Sequence, residues 1–164
     1  MKVIRTYYLE KALRDHRDTI DYKGWPSVKT ILVLFDENPE RPSPHLSVLK
    51  HLEGIGPKID HLVYSATKKP KENVPECTYF KGDVSYFGRP KKQILNQLAQ
   101  ADVLIDWTGQ AQSPNDFLVA THAAGFKVGI DRDLPCFDLV VKGGNNAQDD
   151  IVNEIVNYLK LINK

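Results

Sequence analysis

Asp36 and Asp106 are the residues of this chain best suited by type and setting to do chemistry. Each closes an apolar run, 30–35 and 101–105, of the kind that makes a strand buried on both faces. Two carboxylates at neighbouring strand ends can hold Mg²⁺ or divide acid and base roles. The loop after the first run adds Glu37, Asn38, Ser43 and His45. The loop after the second adds Trp107, Thr108, Gly109, Gln110, Ser113 and Asn115. Thr108, Ser113 and Asn115 could orient a substrate. Trp107 either covers a sheet edge or offers a face for stacking.

The partners that such carboxylates need are not legible. Asp36-Glu37-Asn38-Pro39 is neither G-x-G-x-x-G nor a Walker loop, and its acidic side chains would repel a pyrophosphate. An Asp after a strand ordinarily caps a turn or the next helix, and that reading is favoured for both. Ser113-Pro114-Asn115-Asp116 reads as a helix start, with Ser113 as N-cap, Pro114 at the first helical position and Asp116 favouring the helix dipole. No G-x-S-x-G elbow is present. Gly143-Gly144-Asn145-Asn146 could receive an anion ahead of a helix, but an ordinary strand-to-helix turn with an Asn cap is preferred. Of five histidines, His16, His51 and His122 fall on expected helices, and only His45 lies near the candidate cleft. Cys77 and Cys136 have no metal-ligand spacing and are expected to be buried free thiols. No metal and no cofactor is expected.

The elements that would position these residues alternate. Residues 3–17 form a leading helix whose inward face is Ile4, Tyr8, Leu9, Ala12 and Leu13. Strands follow at 30–35, 58–65, 76–80, 101–107, 126–130 and 137–141. Helices separate them: one around Leu46–Leu52 closed by Gly54, one at 91–101, one closing at Gly125, and a last one with Ile151, Ile155, Tyr158, Leu159 and Ile162 inward. Right-handed crossovers place strands one to three outward on one side and the later ones on the other. The result is a single three-layer Rossmann-like α/β domain over 1–164, with a helix in 1–18 and an alternating core in 28–164. Its mainly parallel sheet has order 3-2-1-4-5 plus a sixth strand, with a flavodoxin-like order as the main rival. Ligands of such sheets lie where the order reverses, between strands one and four.

Composition narrows the function. The chain has 164 residues and a formal net charge of +1, which gives no electrostatic case for nucleic acid or an anionic membrane. No apolar run approaches the ~20 residues of a spanning helix, and no signal peptide is read at the start, so a cytoplasmic setting is expected.

Four features carry a resemblance: the Tyr7-Tyr8 helix, the turn Asp106-Trp107-Thr108-Gly109, the strand Phe126-Lys127-Val128-Gly129 and the strand Phe137-Asp138-Leu139. In these the whole chain resembles a family of small α/β proteins from Bacteroidetes, a domain of unknown function, which implies no particular activity. Residues 101–131 also resemble the N-terminal half of heptosyltransferase-type glycosyltransferases. That resemblance implies shared fold grammar, since those enzymes need a second domain to bind the sugar nucleotide. The favoured reading is a non-catalytic domain that binds an unknown protein partner or itself. The alternative is a small-ligand or nucleotide-related enzyme using Asp36, Glu37, Asn38, His45, Asp106, Trp107, Thr108, Gly109, Ser113 and Asn115.

Overall fold

Six strands line up side by side and all parallel, in the order β3-β2-β1-β4-β5-β6. They are β1 Thr30–Glu37, β2 Lys58–Ser65, β3 Thr78–Phe80, β4 Val103–Trp107, β5 Phe126–Ile130 and β6 Leu139–Val141. The helices are α1 Lys2–Arg14, α2 His45–Leu52, α3 Lys92–Gln97, α4 Asn115–Thr121 and α5 Gln148–Leu161. The computed structural model describes residues 2–14, 21–37, 44–67, 77–98, 100–144 and 146–162. The order and direction of the strands are those the apolar runs imply. In the centre β1 pairs with β4 over Ile31–Val103 to Phe35–Trp107, and with β2 over Thr30–Lys58 to Glu37–Ser65.

Strand alternation divides the core in two. Ile31, Val33 and Phe35 of β1, with Val103 and Ile105 of β4, face the layer of α2 and α5, meeting Val48, Leu52, Ile151, Ile155 and Leu159. Leu32, Leu34 and Leu104 face the other way, toward Ile94 of α3 and Leu118 and Val119 of α4. Helix α1 packs against α4 and sends Leu13 to the margin of that second core. Among the described residues no helix is long and apolar enough to cross a membrane.

Several boundaries and faces differ from the expectation. Helix α3 stops at Gln97, because Leu98 has turned to an extended ψ of 119°. The third and sixth strands begin two residues late, at Thr78 and Leu139. Tyr8 does not join the core: its ring lies outside, 5.3 Å from Phe87. Leu9, Ala12 and Leu13 are half-buried, and the Ile4 side chain lies outside the described residues, as does His16. In α5 the buried stripe runs through Val152 and Val156 and leaves Tyr158 exposed at its margin. Residue α5 starts after is Ala147, not an asparagine, and no side chain caps it. The Gly143–Gly144 amides donate to the Asp131 carboxylate at 2.9 and 3.3 Å, which leaves them closed to an outside anion. Phe137 lies flat on β5, where a Cβ on Gly129 would stand 2.6 Å from its ring, so only glycine admits that contact.

The thiols also divide. Cys136 is buried in the second core, whereas Cys77 is exposed, against the expectation of two buried thiols, because it precedes β3 rather than lying inside it. Burial pushes the Cys136 thiol up to about 11. A disulfide-exchange reagent at pH 8 should therefore label Cys77 in the native protein and Cys136 only after denaturant is added. Equal labelling of both thiols without denaturant would contradict the packing described.

Candidate functional site

The C-terminal ends of the strands hold a polar chain that crosses the sheet. It begins at β3, where the Tyr79 hydroxyl donates to Asn115 Oδ1 at 2.6 Å. Asn115 Nδ2 donates to the Phe35 carbonyl and to Thr108 Oγ1, both at 3.0 Å. Thr108 Oγ1 and the Thr108 amide donate to Asp106 Oδ1. The other Asp106 oxygen accepts from Arg132, which reaches back from the loop after β5. The second arm of Arg132 donates to Asp116 Oδ1. Asp116 Oδ2 accepts from the Ser113 amide and from Arg5 of α1, the latter at 2.8 Å. Arg5 also donates to the Ser113 carbonyl and lies over the Phe117 ring.

Burial is nearly complete along this chain. Asp106 is 0% exposed, Asn115 0%, Tyr79 1%, Asp116 2% and Arg132 9%. Two arginines meet two carboxylates, so the network is neutral as a unit, which is what a desolvated cluster of charges requires. Burial raises the Asp106 carboxyl, against the Arg132 charge and the Thr108 hydroxyl, which lower it. Arg132 is itself penalised by burial, yet the two carboxylates hold its pKa above the ordinary value. Burial also pushes the Tyr79 phenol far up, so it acts as a fixed donor.

Asp36 has a separate partner. Its carboxylate accepts the amides of Gly109 and Gln110 at 2.7 and 3.1 Å, and so ties the loop after β4 across the end of β1. That bond lies at the end of the strands where a ligand was expected. The capping reading of Asp36 is therefore right in kind, though the turn it caps belongs to the neighbouring strand. Ser113 Oγ accepts the Asn115 amide at 3.2 Å, but α4 begins at Asn115 with Pro114 at the cap, one residue later than expected, so Ser113 stands just ahead of the cap. Asp116 is more than a residue suited to the helix dipole, since both of its oxygens are in the network.

The structure thus brings Asp106, Thr108, Asn115 and Ser113 together, and joins Asp36 to Gly109. It sends Glu37 and His45 elsewhere. His45 opens α2 with its ring edge-on to Phe35, on the other face of the sheet from Asp106. Trp107 packs half-buried on the first core at the end of a central strand, so it covers no sheet edge. Asn38 and Ser43 lie outside the described residues. Among the described residues no group of three His, Cys, Asp or Glu could hold a metal ion.

Arg132, Arg5 and Tyr79 were not anticipated. Arg132 had a signal, since any residue just after β5 must sit at the same end of the sheet as Asp106. Arg5 had none, because one arginine on an amphipathic helix looks like any solvated charge. Lys127 was also missed: it sits fully buried within β5, donates Nζ to the Val119 carbonyl at 2.7 Å, and has its pKa lowered by burial.

A cleft of about 440 Å³ opens beside this network, between α1, the 81–88 segment and the 112–114 turn, with Arg5, Lys81, Tyr86 and Gln112 on its walls. A second, of about 730 Å³, lies at the opposite end of the sheet near Lys29, Asp102 and His122. The parallel order, the flanking helices and the leading helix define an α/β domain of Rossmann-like form. The chain belongs to DUF6913, a family of unknown function whose family model matches residues 2–162. No curated protein and no solved structure matches it.

Two substitutions test the network. Arg132→Leu removes the cation shared by Asp106 and Asp116 and should cost about 3–5 kcal/mol in denaturant unfolding. Burial then acts on Asp106 with less to oppose it, so its folded pKa stands above the unfolded value near 3.9. The penalty should shrink as pH falls through that raised pKa and return in full at neutral pH. A loss that is small or flat with pH would mean the charges are not coupled. Tyr79→Phe removes one donor and leaves Asn115 Oδ1 buried without it, which should cost about 1–3 kcal/mol.

Proposed function

We propose that this chain is a non-catalytic binding domain that engages a macromolecular partner on the face formed by α1 and the 84–90 turn. One observation carries the reading: the two strand-end carboxylates best placed to work on a substrate are bonded inside the protein. Asp36 holds two backbone amides, and Asp106 is fully buried against Arg132 and Thr108. A general base needs a free lone pair within reach of a substrate proton, and a metal needs several. The loop after β4, which would form part of an active site, is instead fastened to the sheet. A rigid end of the sheet suits a domain that presents a surface. The face beside it exposes aromatic side chains: Tyr7 is 56% exposed and Tyr86 72%. A reducing, cytoplasmic setting goes with the same reading, since both cysteines are free thiols.

The rival is an enzyme of small ligands working in the 440 Å³ cleft. A thermal-shift panel of nucleotides, sugar nucleotides and Mg²⁺ separates the two. A ligand present at about 100 times its Kd adds roughly 2.7 kcal/mol, a displacement of several degrees in a domain of this size. The expected result is an unmoved melting temperature across the panel. A shift from one ligand that Lys81→Ala abolishes would bring the enzyme reading forward.

A further inference from the structure

We infer that the partner of this face is an acidic polypeptide segment bearing aromatic or aliphatic side chains. The inference rests on the binding-domain reading and adds the chemistry of what is bound.

Four rings make a continuous ridge. Tyr7 meets Tyr8 at 5.5 Å, Tyr8 meets Phe87 at 5.3 Å, and Phe87 meets Tyr86 at 5.7 Å. All four are exposed, from 39% for Tyr8 and Phe87 to 72% for Tyr86. The ridge joins two elements far apart in sequence. What aligns them is Arg5, whose stem lies against Gly88 while its guanidinium is held by Asp116. Gly88 has φ +81°, which favours glycine, and a Cβ there would stand 3.2 Å from the Arg5 stem, a tight contact. Apolar surface gathered like this and left in water marks an interaction site.

Charge selects the partner. On α1, Lys11 and Arg14 follow Tyr7 by four and seven positions and share its helix face. Lys81, Arg89, Lys91 and Lys92 flank the other end of the ridge, all exposed. The acids in these two stretches are Glu10 and Asp83, and Asp83 is engaged by the Phe80 amide and Gln93. The whole chain carries only +1, so the rest of it is net acidic and the positive charge is concentrated here. A symmetric contact between two copies would set this cationic face against itself. Single-stranded nucleic acid would want open ring faces for its bases. Here Tyr7–Tyr8 and Tyr86–Phe87 are set edge to face, at 77° and 83°, so each ring partly covers its neighbour's stacking surface. Side chains of a peptide fit the notches between such rings, and its carboxylates meet the surrounding lysines and arginines. The cleft beneath Tyr86, with Lys81 on its wall and no carboxylate lining it among the described residues, can take one anchoring side chain.

The test is selection of a random peptide display library on the full-length protein, with measured binding of the enriched peptides. Enriched sequences should be net acidic and should contain aromatic or aliphatic residues. Lys81→Glu with Arg89→Glu should weaken them on the order of tenfold, and added salt should do likewise. Tyr86→Ser with Phe87→Ser should abolish binding while the melting temperature stays near wild type, since both rings are surface groups. Enriched peptides of neutral or basic character that still depend on the ridge would overturn the acidic partner and leave the binding-domain reading standing. Peptides indifferent to both variants, or no enrichment at all, would overturn the two together. Displacement of the peptides by an oligothymidylate, or a rise in mass with protein concentration, would replace the peptide with nucleic acid or a second copy.

Discussion

Arg132 brings a positive charge to the C-terminal end of the sheet, where it is only 9% exposed, and the carboxylates of Asp106 and Asp116 meet it there. Removed from water, none of these groups is tolerable alone; together with Arg5 they balance. Position matters as much as charge. Asp106 lies near the end of β4, Arg132 follows β5, Asp116 lies in the first turn of α4 and Arg5 belongs to α1. One cluster therefore fixes two strands, the helix between them and the leading helix. Such a cluster is not the cheapest way to gain stability, since apolar residues of equal volume can do as well. Its effect is to allow a single arrangement of the pieces. A slipped α1 or a displaced 108–115 loop would strand a buried ion.

The network extends that constraint to the far side of the sheet through uncharged groups. Asn115 is its pivot, since one amide side chain binds β3 through Tyr79, β1 through the Phe35 carbonyl and the 108 turn through Thr108. Asp36 closes the remaining gap by holding the Gly109 and Gln110 amides. At the reversal point of the strand order, where open α/β sheets ordinarily bind ligands, the two strand-end carboxylates are thereby engaged by the protein's own groups. To the side of it, α1 and the 84–90 turn leave Tyr7 and Tyr86 exposed to solvent.

The architecture was readable because the strands are buried on both faces. Runs such as Thr30–Leu34 and Val103–Ile105 have no polar alternation, and that leaves a central parallel position as their only stable place. Handedness then restricts the order, leaving a flavodoxin-like arrangement as the rival to the one observed. Faces of helices were less readable where the stripe was marginal: Tyr8 and Tyr158 are amphipathic rings that a periodic pattern draws inward and the actual packing leaves outside. The polar residues of the two loops were correctly gathered by their place at strand ends, and their partners were not. A capping aspartate and a catalytic one look alike in sequence; what distinguishes them is the donor opposite. For Asp106 that donor lies 26 residues downstream, and the other end of the network, Arg5, lies 111 residues before Asp116. No local pattern reports a bond of that span.

The same distance explains why the leading helix belongs to the fold and to the surface at once. Arg5 turns inward, its guanidinium on Asp116 and the Ser113 carbonyl. Tyr7 and Tyr8, the next exposed residues but one and two, turn outward onto Phe87 and solvent. The inward contact sets the height and rotation of the helix, and the outward rings inherit that setting. An exposed ridge built on a free helix would fray with it and lose its shape. Here the ridge is referenced through one arginine to Asp116 and thence to the centre of the sheet. A surface pre-organised in this way gives up little entropy on binding, which favours the partner proposed for the ridge.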